Sequence, residues 1–103
     1  MNVPAIISPA MEARARELCD IMLAVSGHDP RQQSRLRPVV IARAMVCARL
    51  LAEGLTENQV GALMGREHST VHYYRTLVRS IVQVPSFRAE RELLELFNQL
   101  AGQ

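Results

Sequence analysis

Apolar residues recur along the chain every three or four positions, which is the spacing of one face of an α-helix. Glycines, prolines and short polar stretches interrupt this spacing, so it predicts six helical segments and no β-strand. A chain of 103 residues has room for one domain. We therefore expect an all-α fold: a single compact bundle of about six helices over residues 1–103.

Two helix starts are marked by a polar cap followed by a proline. Ser8 precedes the first of these prolines, and the apolar stripe that follows stops at Gly27, which predicts the first helix. Asp29 repeats the signature and predicts a short second segment. The polar stretch RQQSRLRP has no helical period and ends on a proline, so residues 31–38 are predicted to form a basic loop.

The run VVIARAMVCARLLAE, residues 39–53, is apolar on nearly all sides. Such a run is typical of a buried central helix, and Gly54 is placed to end it. Because this helix is expected to be buried, Arg43 and Arg49 are the arginines that we least expect to contact a ligand.

The next stretch predicts two helices joined by a short turn. Thr56 and Gln59 have the spacing of a capping box, which starts a short helix that stops near Gly65. A longer helix follows over residues 68–82, and its inward face is predicted to consist of Val71, Leu77, Val78, Ile81 and Val82. Two helices joined by a glycine-containing turn form a helix-turn-helix, here over about residues 56–82.

A last helix, over residues 86–101 and capped by Ser86, is predicted to close the bundle. Its apolar face consists of Leu93, Leu96, Phe97 and Leu100. Closing the core is the ordinary role of such a face. The same face also suits a protein partner or a second copy of this chain.

Arginine is concentrated in the middle of the chain. Residues 31–79 contain eight arginines and three glutamates, a net charge of +5, whereas the remaining residues together carry −3. The chain contains no lysine, a choice that a genomic composition bias explains as well as function does. The guanidinium group of arginine binds phosphate or guanine through two parallel hydrogen bonds. This clustering favours a nucleic-acid partner.

The composition argues against disordered, membrane and disulfide-rich classes. About half of the residues are hydrophobic, and no apolar run is long enough for a membrane helix. The N-terminal stretch NVPAIISP lacks the features of a signal peptide, so we expect a soluble, cytoplasmic protein. Cys19 and Cys47 lie in apolar helical stretches, so buried thiols are favoured over a disulfide. Met45 and Met64 are expected in the core.

The helix start at GREHSTVHYY, residues 65–74, has more polar side chains than a structural cap needs. In a DNA-binding helix-turn-helix, the first residues of the second helix enter the major groove and reach base edges. Arg66 can bind phosphate or guanine, and Glu67 can accept a hydrogen bond from cytosine. His68 can bond a base or a phosphate, and the methyl group of Thr70 can pack on thymine.

Neighbouring residues extend this interpretation. The helix start at Thr56 has free amides and a hydroxyl that can bind a DNA backbone phosphate. The first helix would then hold the phosphate backbone while the second contacts base edges. Tyr73 and Tyr74 can stack on bases, although we expect one to pack inward and the other to cover a phosphate. His68 and His72, with Glu67 adjacent, leave a zinc site open, but further ligands at suitable spacing are missing.

The stretch GREHSTVHYY resembles the G-G-R-D-H-[ST]-T-V signature of the C-terminal DNA-binding domain of bacterial DnaA-type replication initiators. RLRP, before the central helix, supports this resemblance, which covers about residues 17–82. It implies a DnaA C-terminal or Trp-repressor-like bundle that binds double-stranded DNA sequence-specifically. In the family an Asp-His-Thr-Thr stretch reads the major groove, which implies this role for Glu67, His68, Ser69 and Thr70. A loop arginine of the family enters the minor groove, which implies this role for Arg37, with Arg35 beside it.

The expected DNA-binding residues are Arg35, Arg37, Thr56, Arg66, Glu67, His68, Ser69, Thr70, Tyr73 and Arg75. The chain departs from the family in having Glu67 at the aspartate and one glycine in the turn where two are usual. It also lacks the G-x-x-x-x-G-K-[ST] loop of the family's ATPase module. We therefore expect a DNA-binding domain that stands without this module, cytoplasmic and associated with the nucleoid.

Other functions remain open at this point. One is a helical protein-interaction module that acts as a homo-oligomer or binds a partner through its C-terminal helix. Another is a DNA-binding transcriptional regulator of a mobile element. No combination of nucleophile, base and orienting group is visible, so we expect no enzymatic activity, no cofactor and no metal.

Overall fold

The computed structural model describes residues 5–102, and this part of the chain contains five helices and no β-strand. In chain order they are α1 (Pro9–Ser26), α2 (Arg37–Ala52), α3 (Glu57–Met64), α4 (His68–Gln83) and α5 (Arg88–Leu100). They form one globule with a radius of gyration of 12.9 Å, so the predicted all-α class is confirmed. None of these five helices is both long and apolar enough to span a bilayer. The signal-peptide prediction rests in part on residues 2–4, which lie outside the described residues.

Local polar caps start α1 and α3 as the sequence predicts. Ser8 Oγ accepts a hydrogen bond from the amide of Met11 at 3.1 Å, and Gly27 follows the last residue of α1 as its C-cap, with a φ of +76°. Thr56 Oγ1 accepts from the amide of Gln59 at 3.1 Å, and the Gln59 side chain accepts from the Thr56 amide at 2.9 Å. The predicted capping box is therefore confirmed.

α2 is the centre of the hydrophobic core and packs most extensively against α4. Its fully buried residues are Ala42, Ala44, Met45, Val46, Cys47 and Leu50. Leu18 and Met22 of α1, Ile81 of α4 and Phe97 of α5 complete the same core without exposure to solvent. The prediction of a central helix packed on several sides is confirmed.

The short helix predicted after Asp29 is not formed, and residues 30–36 form a loop instead. Asp29 Oδ1 accepts a hydrogen bond from the amide of Arg31 at 3.0 Å, and the amide of Gln32 bonds to the Asp29 carbonyl at 3.1 Å. These bonds close a turn. After the buried Pro30, no apolar side chain follows before Leu36 to pack a helix on the core, so the turn does not continue.

The predicted end of the basic loop is also corrected. Arg37, assigned to the loop from the sequence, is the first residue of α2, and Leu36 is its N-cap. A proline fits the first turn of a helix because the amide hydrogen that it lacks would have no partner there, so Pro38 lies inside α2. α2 ends at Ala52, and Gly54 follows it with a φ of +105°.

Two predictions about the last two helices are wrong. Val82 is 55% exposed, because it is adjacent to the buried Ile81 and successive helical side chains point about 100° apart. Ser86 does not cap α5, which has Phe87 at its N-cap and no side-chain cap. The amide of Phe87 bonds to the carbonyl of Val84 at 3.1 Å, so a turn occupies the predicted helix start.

The apolar face of α5 is only partly buried. Phe97 is fully buried and Leu93 packs against the core, as predicted for a closing helix. Leu96 and Leu100, one turn apart, are 44% and 55% exposed. This pair forms an apolar strip on the surface of α5.

Candidate nucleic-acid interface

α3 and α4 are joined by a tight turn of three residues, 65–67. Gly65 adopts a left-handed conformation, with a φ of +66°, and the amide of Arg66 bonds to the carbonyl of Gly61 at 2.8 Å. The turn therefore packs directly on the backbone of α3. A glycine inside a short predicted helix is the sequence signal for such close packing, but the residues expected at this site do not include Gly61.

The amino terminus of α4 presents polar side chains to solvent. Its N-cap, Glu67, makes no side-chain hydrogen bond to the backbone, and its carbonyl accepts from the amides of Thr70 at 3.0 Å and Val71 at 3.1 Å. Glu67, His68 and Ser69 are exposed, and Thr70 is half-buried. The first amides of α4 thus lack a side-chain cap, and this end of the helix carries a partial positive charge.

A carboxylate connects the start of α3 to α4. Glu57 Oε2 lies 2.9 Å from Nδ1 of His72 and 3.7 Å from Nη1 of Arg75. The exposed Thr56, one residue earlier, uses its hydroxyl oxygen as an acceptor in the capping box, which leaves the hydroxyl hydrogen free to donate. Arg75 is thus partly neutralised, whereas Thr56 remains available to an acidic ligand.

Four solvent-facing arginines in the middle of the chain have no carboxylate within 4 Å among the described residues. They are Arg35, Arg37, Arg66 and Arg79. Of the three glutamates in this segment, Glu53 pairs with Arg14 and Arg49, and Glu57 pairs with groups on α4. Only Glu67 remains to offset these four positive charges.

The basic loop, residues 30–36, differs along its length in how its charge is balanced. Arg31 Nη2 lies 3.0 Å from Asp20, and its Nε lies 2.8 Å from Asp29, so this guanidinium is neutralised twice. These bonds raise the pKa of Arg31 above its ordinary value. Arg35, four residues later, is exposed and has no such partner among the described residues.

Arg37 lies beside the exposed end of the basic loop. Its guanidinium carbon is 5.7 Å from the ring centre of Phe87, which orients the side chain while leaving its charge unpaired. Leu36, between Arg35 and Arg37, is 70% exposed. The surface beside these two arginines therefore includes an exposed apolar side chain. The charge pattern of the sequence does not reveal this feature.

The inner side of the basic loop is attached to the helices. Arg66 Nη1 donates to Gln33 Oε1 at 3.2 Å, which connects the turn before α4 to the loop. The guanidinium of Arg43, which is 3% exposed, bonds to carbonyl oxygens of the loop. The Arg49 side chain, 12% exposed, bonds to Glu53 and Asn98 instead. Arg43 is therefore buried and Arg49 half-buried, with their guanidinium groups bonded inside the fold.

The two adjacent tyrosines of α4 have different environments. Tyr74 is 4% exposed and belongs to the core, whereas Tyr73 is 57% exposed. Their ring centres are 6.1 Å apart, with the ring planes inclined by 52°. The expectation that one tyrosine packs inward is confirmed, and Tyr73 is the one available to a ligand.

The remaining polar groups do not assemble into a metal centre or an activated thiol within the part of the chain that the structure describes. No three side chains of His, Cys, Asp or Glu come close enough there to hold one metal ion. Cys19 and Cys47 are free and buried, as predicted. Burial raises the pKa of Cys19 to about 11 and that of Cys47 to about 12, so both are protonated thiols at neutral pH.

The candidate interface thus combines an uncapped helix start, an exposed tyrosine and four arginines that lack a carboxylate partner in the part of the chain that the structure describes. A loop attached to the helices from its inner side completes it. Its function has to be inferred from these features. Comparisons of this chain with protein-family models, with curated proteins and with solved structures gave no match.

Proposed function

We propose that this chain binds double-stranded DNA in a sequence-specific manner, with α3 and α4 acting as a helix-turn-helix. In this proposal the start of α4 enters the major groove and α3 crosses the phosphate backbone. Arg37 and the exposed end of the basic loop lie in the adjacent minor groove. No catalytic step is part of this function.

The observation that carries the proposal is the imbalance of charge around α4 and the basic loop. Four arginines there are without a carboxylate partner among the described residues, whereas two of the three glutamates in residues 31–79 are already paired. An ordinary solvated surface mixes charges of both signs. Unpaired guanidinium groups along α4, the turn before it and the basic loop, together with an uncapped helix start, suit a polyanion.

The exposed residues at the start of α4 suit the reading of base edges. His68 and Ser69 offer ring nitrogens and a hydroxyl, and the half-buried Thr70 offers a methyl group and a hydroxyl. Glu67 would be repelled by phosphate, so its useful partner is a base donor such as cytosine N4. We therefore propose that these four residues select the sequence.

Other candidate residues suit the phosphate backbone. Thr56 has a hydroxyl hydrogen free to donate at the start of α3, and Tyr73 is exposed on α4. Arg66 and Arg75 supply positive charge on either side of the α4 start, although the Arg75 charge is partly balanced by Glu57. Such contacts fix orientation and affinity without selecting a sequence.

The resemblance of GREHSTVHYY to the DnaA-type signature extends the proposal to a biological role. We propose a DNA-binding domain similar to the origin-binding domain of bacterial replication initiators, working in the cytoplasm at the nucleoid. A transcriptional regulator of a mobile element uses the same interface. The identity of the preferred duplex distinguishes these two roles, because the former would select an origin-type repeat.

A second candidate function is a protein interaction through α5. Leu96 and Leu100 are 44% and 55% exposed, and they lie one turn apart on the same face of the helix. This function requires no nucleic acid. Sedimentation of the chain alone, compared with a Leu96→Ser and Leu100→Ser double variant, would report self-association through this strip.

A salt titration of duplex binding tests the proposed DNA binding. If four to six arginines neutralise phosphates, the logarithm of the affinity should fall linearly with the logarithm of salt concentration, with a slope on the order of −4 to −6. A slope near zero would count against duplex binding. Single-stranded DNA of the same length serves as the comparison.

Two arginine variants provide matched controls for this titration. Arg35→Ala removes an unpaired charge, so it should reduce the steepness of the slope by about 0.9. Arg88→Ala removes an arginine that is also exposed, but whose Nε lies 3.5 Å from Glu92 Oε1, so its slope should match that of the wild type. Equal effects of the two variants would indicate a nonspecific response to net charge.

A further inference from the structure

Arg43 is a buried arginine that bonds to the loop in front of its own helix and to α4. Its Nε donates to the carbonyl of Pro30 at 3.0 Å, and its Nη2 donates to the carbonyls of Ser34, at 3.2 Å, and of Gln32. Its Nη1 lies 3.4 Å from the hydroxyl of Tyr74. One guanidinium group therefore connects three loop carbonyls with the middle of α4.

These bonds account for an arginine in an otherwise apolar helix. Burying a guanidinium group is costly unless its donors are used, and Arg43 has no carboxylate partner among the described residues. A methionine of similar volume would fill the same space without this cost. The arginine is useful only because the carbonyls of the loop point inward and need donors.

The start of the loop is also held by the buried Pro30 and by Arg31, which pairs with Asp20 and Asp29, whereas residues 34–36 have few other interactions that fix their backbone. The amide of Ser34 bonds to the carbonyl of Gln32 at 2.9 Å, and the amide of Leu36 bonds to Ser34 Oγ at 3.1 Å. Both bonds are local and do not connect this part of the loop to another element. Arg43 bonds to the inner side of the loop at residues 30, 32 and 34. These bonds determine how Arg35 and Leu36 project outward.

The same guanidinium also relates the loop to α4. Tyr74, a residue of α4, is 4% exposed and belongs to the hydrophobic core. The bond from Arg66 to Gln33 supplies a second connection, at the turn before α4. The two surfaces proposed to contact DNA are thus held at a fixed separation before any ligand is present.

We propose that Arg43 is a positioning residue that sets the basic loop for the minor groove while α4 occupies the major groove. This inference rests on the proposed function. The two grooves of a duplex lie at a fixed spacing, so a loop that is already ordered loses less entropy on binding. Arg43 touches no DNA itself and acts through the loop, which carries Arg35 and ends beside Arg37.

The first test measures the loop without DNA. Amide hydrogen exchange of residues 31–36 is compared in the wild type and in the Arg43→Met, Arg43→Lys and Arg49→Met variants. Loss of the three carbonyl bonds should speed exchange in the loop by about tenfold or more in both Arg43 variants, with the helices unchanged. Arg49→Met also removes a largely buried guanidinium group of α2, but one that bonds to Glu53 and Asn98 and not to the loop. It should leave loop exchange unchanged.

The second test measures DNA selectivity. The affinity for a duplex with A·T-rich flanks is divided by the affinity for the same duplex with G·C-rich flanks, whose minor groove is wider. The wild type and Arg49→Met should favour the A·T-rich flanks, whereas both Arg43 variants should bring the ratio close to one. The Arg43→Lys variant keeps the positive charge, so a folding failure of Arg43→Met leaves the test intact.

The outcomes separate this inference from the proposed function. Unchanged loop exchange in both Arg43 variants, or an intact flank preference in them, would overturn the positioning role alone. Failure of the wild type to bind any duplex would overturn the proposed function, and the role of Arg43 in DNA binding with it. Faster loop exchange together with a lost flank preference is the predicted result.

Discussion

A Cβ atom added to Gly61 would lie 2.4 Å from the carbonyl oxygen of Arg66, a distance that real Cβ contacts do not show. The atom that it would meet belongs to the backbone, so no side-chain rotation relieves the clash. The path of the turn between α3 and α4 therefore depends on the absence of a side chain at position 61. This close approach sets where the exposed start of α4 lies relative to α3.

Gly61→Ala should accordingly destabilise the fold. An alanine inside a helix ordinarily stabilises it relative to glycine by up to about 1 kcal/mol. Here the clash should reverse the sign and cost about 1 to 3 kcal/mol in the free energy of unfolding, measured by urea denaturation. Asn58→Ala, at an exposed position of the same helix, is the control and should change little. A Gly61→Ala protein that is more stable than the wild type would show that the turn can shift enough to accommodate the added methyl group.

Arg37→Ala should weaken duplex binding mainly when the flanking sequence is rich in A·T. An arginine in a narrow minor groove senses its enhanced negative potential, whereas a phosphate contact is indifferent to sequence. The measurement is the affinity for two duplexes that differ only in their flanks. An equal loss on both duplexes would assign Arg37 to a plain phosphate contact.

Glu53 should make stability depend on pH in the acid range. Hydrogen bonds from Arg14, at 2.9 and 2.6 Å, and then from Arg49, at 2.8 Å, lower the pKa of Glu53 from 4.5 to about 2. Because the folded pKa lies below the unfolded one, this contribution is fully present above about pH 4.5 and is lost as the pH falls towards 2.

Glu53→Gln is the variant that isolates this contribution. It should lower the free energy of unfolding at pH 7 by about 1 kcal/mol, and the difference from the wild type should shrink towards pH 2. Glu95→Gln, an exposed glutamate without an ion pair among the described residues, serves as the control. A difference that stays constant with pH would mean that the ion pairs do not cause it.

Features that depend on neighbouring residues could be predicted from the sequence. The capping box of Thr56 and Gln59 and the end of α1 at Gly27 follow from residues within one turn of each other. The buried character of α2 follows equally from its continuous apolar run. These local signals are sufficient for the all-α class and for most helix bounds.

Features that depend on distant residues could not be predicted in this way. The cap-and-proline signature at Asp29 suggests a helix, but Arg43, from the next helix, bonds to the carbonyls that a helix would have used. Ser86 is a local exception: it has the chemistry of a cap, yet the turn from Val84 to Phe87 displaces the start of α5. Charge counting likewise does not reveal that Arg31 is paired and Arg35 is free, because Asp20 lies eleven residues from Arg31.

Thr70→Ala should reduce the preference for one DNA sequence. Thr70 lies in the first turn of α4, within reach of base edges in the proposed arrangement, and loss of its methyl and hydroxyl should cost about 1 to 3 kcal/mol on the specific duplex. Affinity for random DNA should remain nearly unchanged. Thr76→Ala is the control, because the exposed Thr76 hydroxyl bonds to its own helix at the His72 carbonyl, 3.3 Å away.

Thr56→Ala should act differently, because Thr56 caps the helix that is proposed to cross the backbone. It should weaken binding to specific and to random duplexes alike. It should also lower the free energy of unfolding by about 1 kcal/mol through the lost cap. The two threonine variants thus separate sequence reading from backbone clamping.

The most direct test of sequence-specific DNA binding is the ratio of affinity for a duplex selected from a random library to affinity for a random duplex. It is measured at one salt concentration on wild type, Thr70→Ala and Thr56→Ala, each shown by circular dichroism to be folded. We predict a high ratio for the wild type, a ratio reduced by about tenfold or more for Thr70→Ala, and a wild-type ratio for Thr56→Ala. A wild-type ratio near one, or a ratio that Thr70→Ala leaves intact and Thr56→Ala abolishes, would contradict the account of α4 as the reading helix.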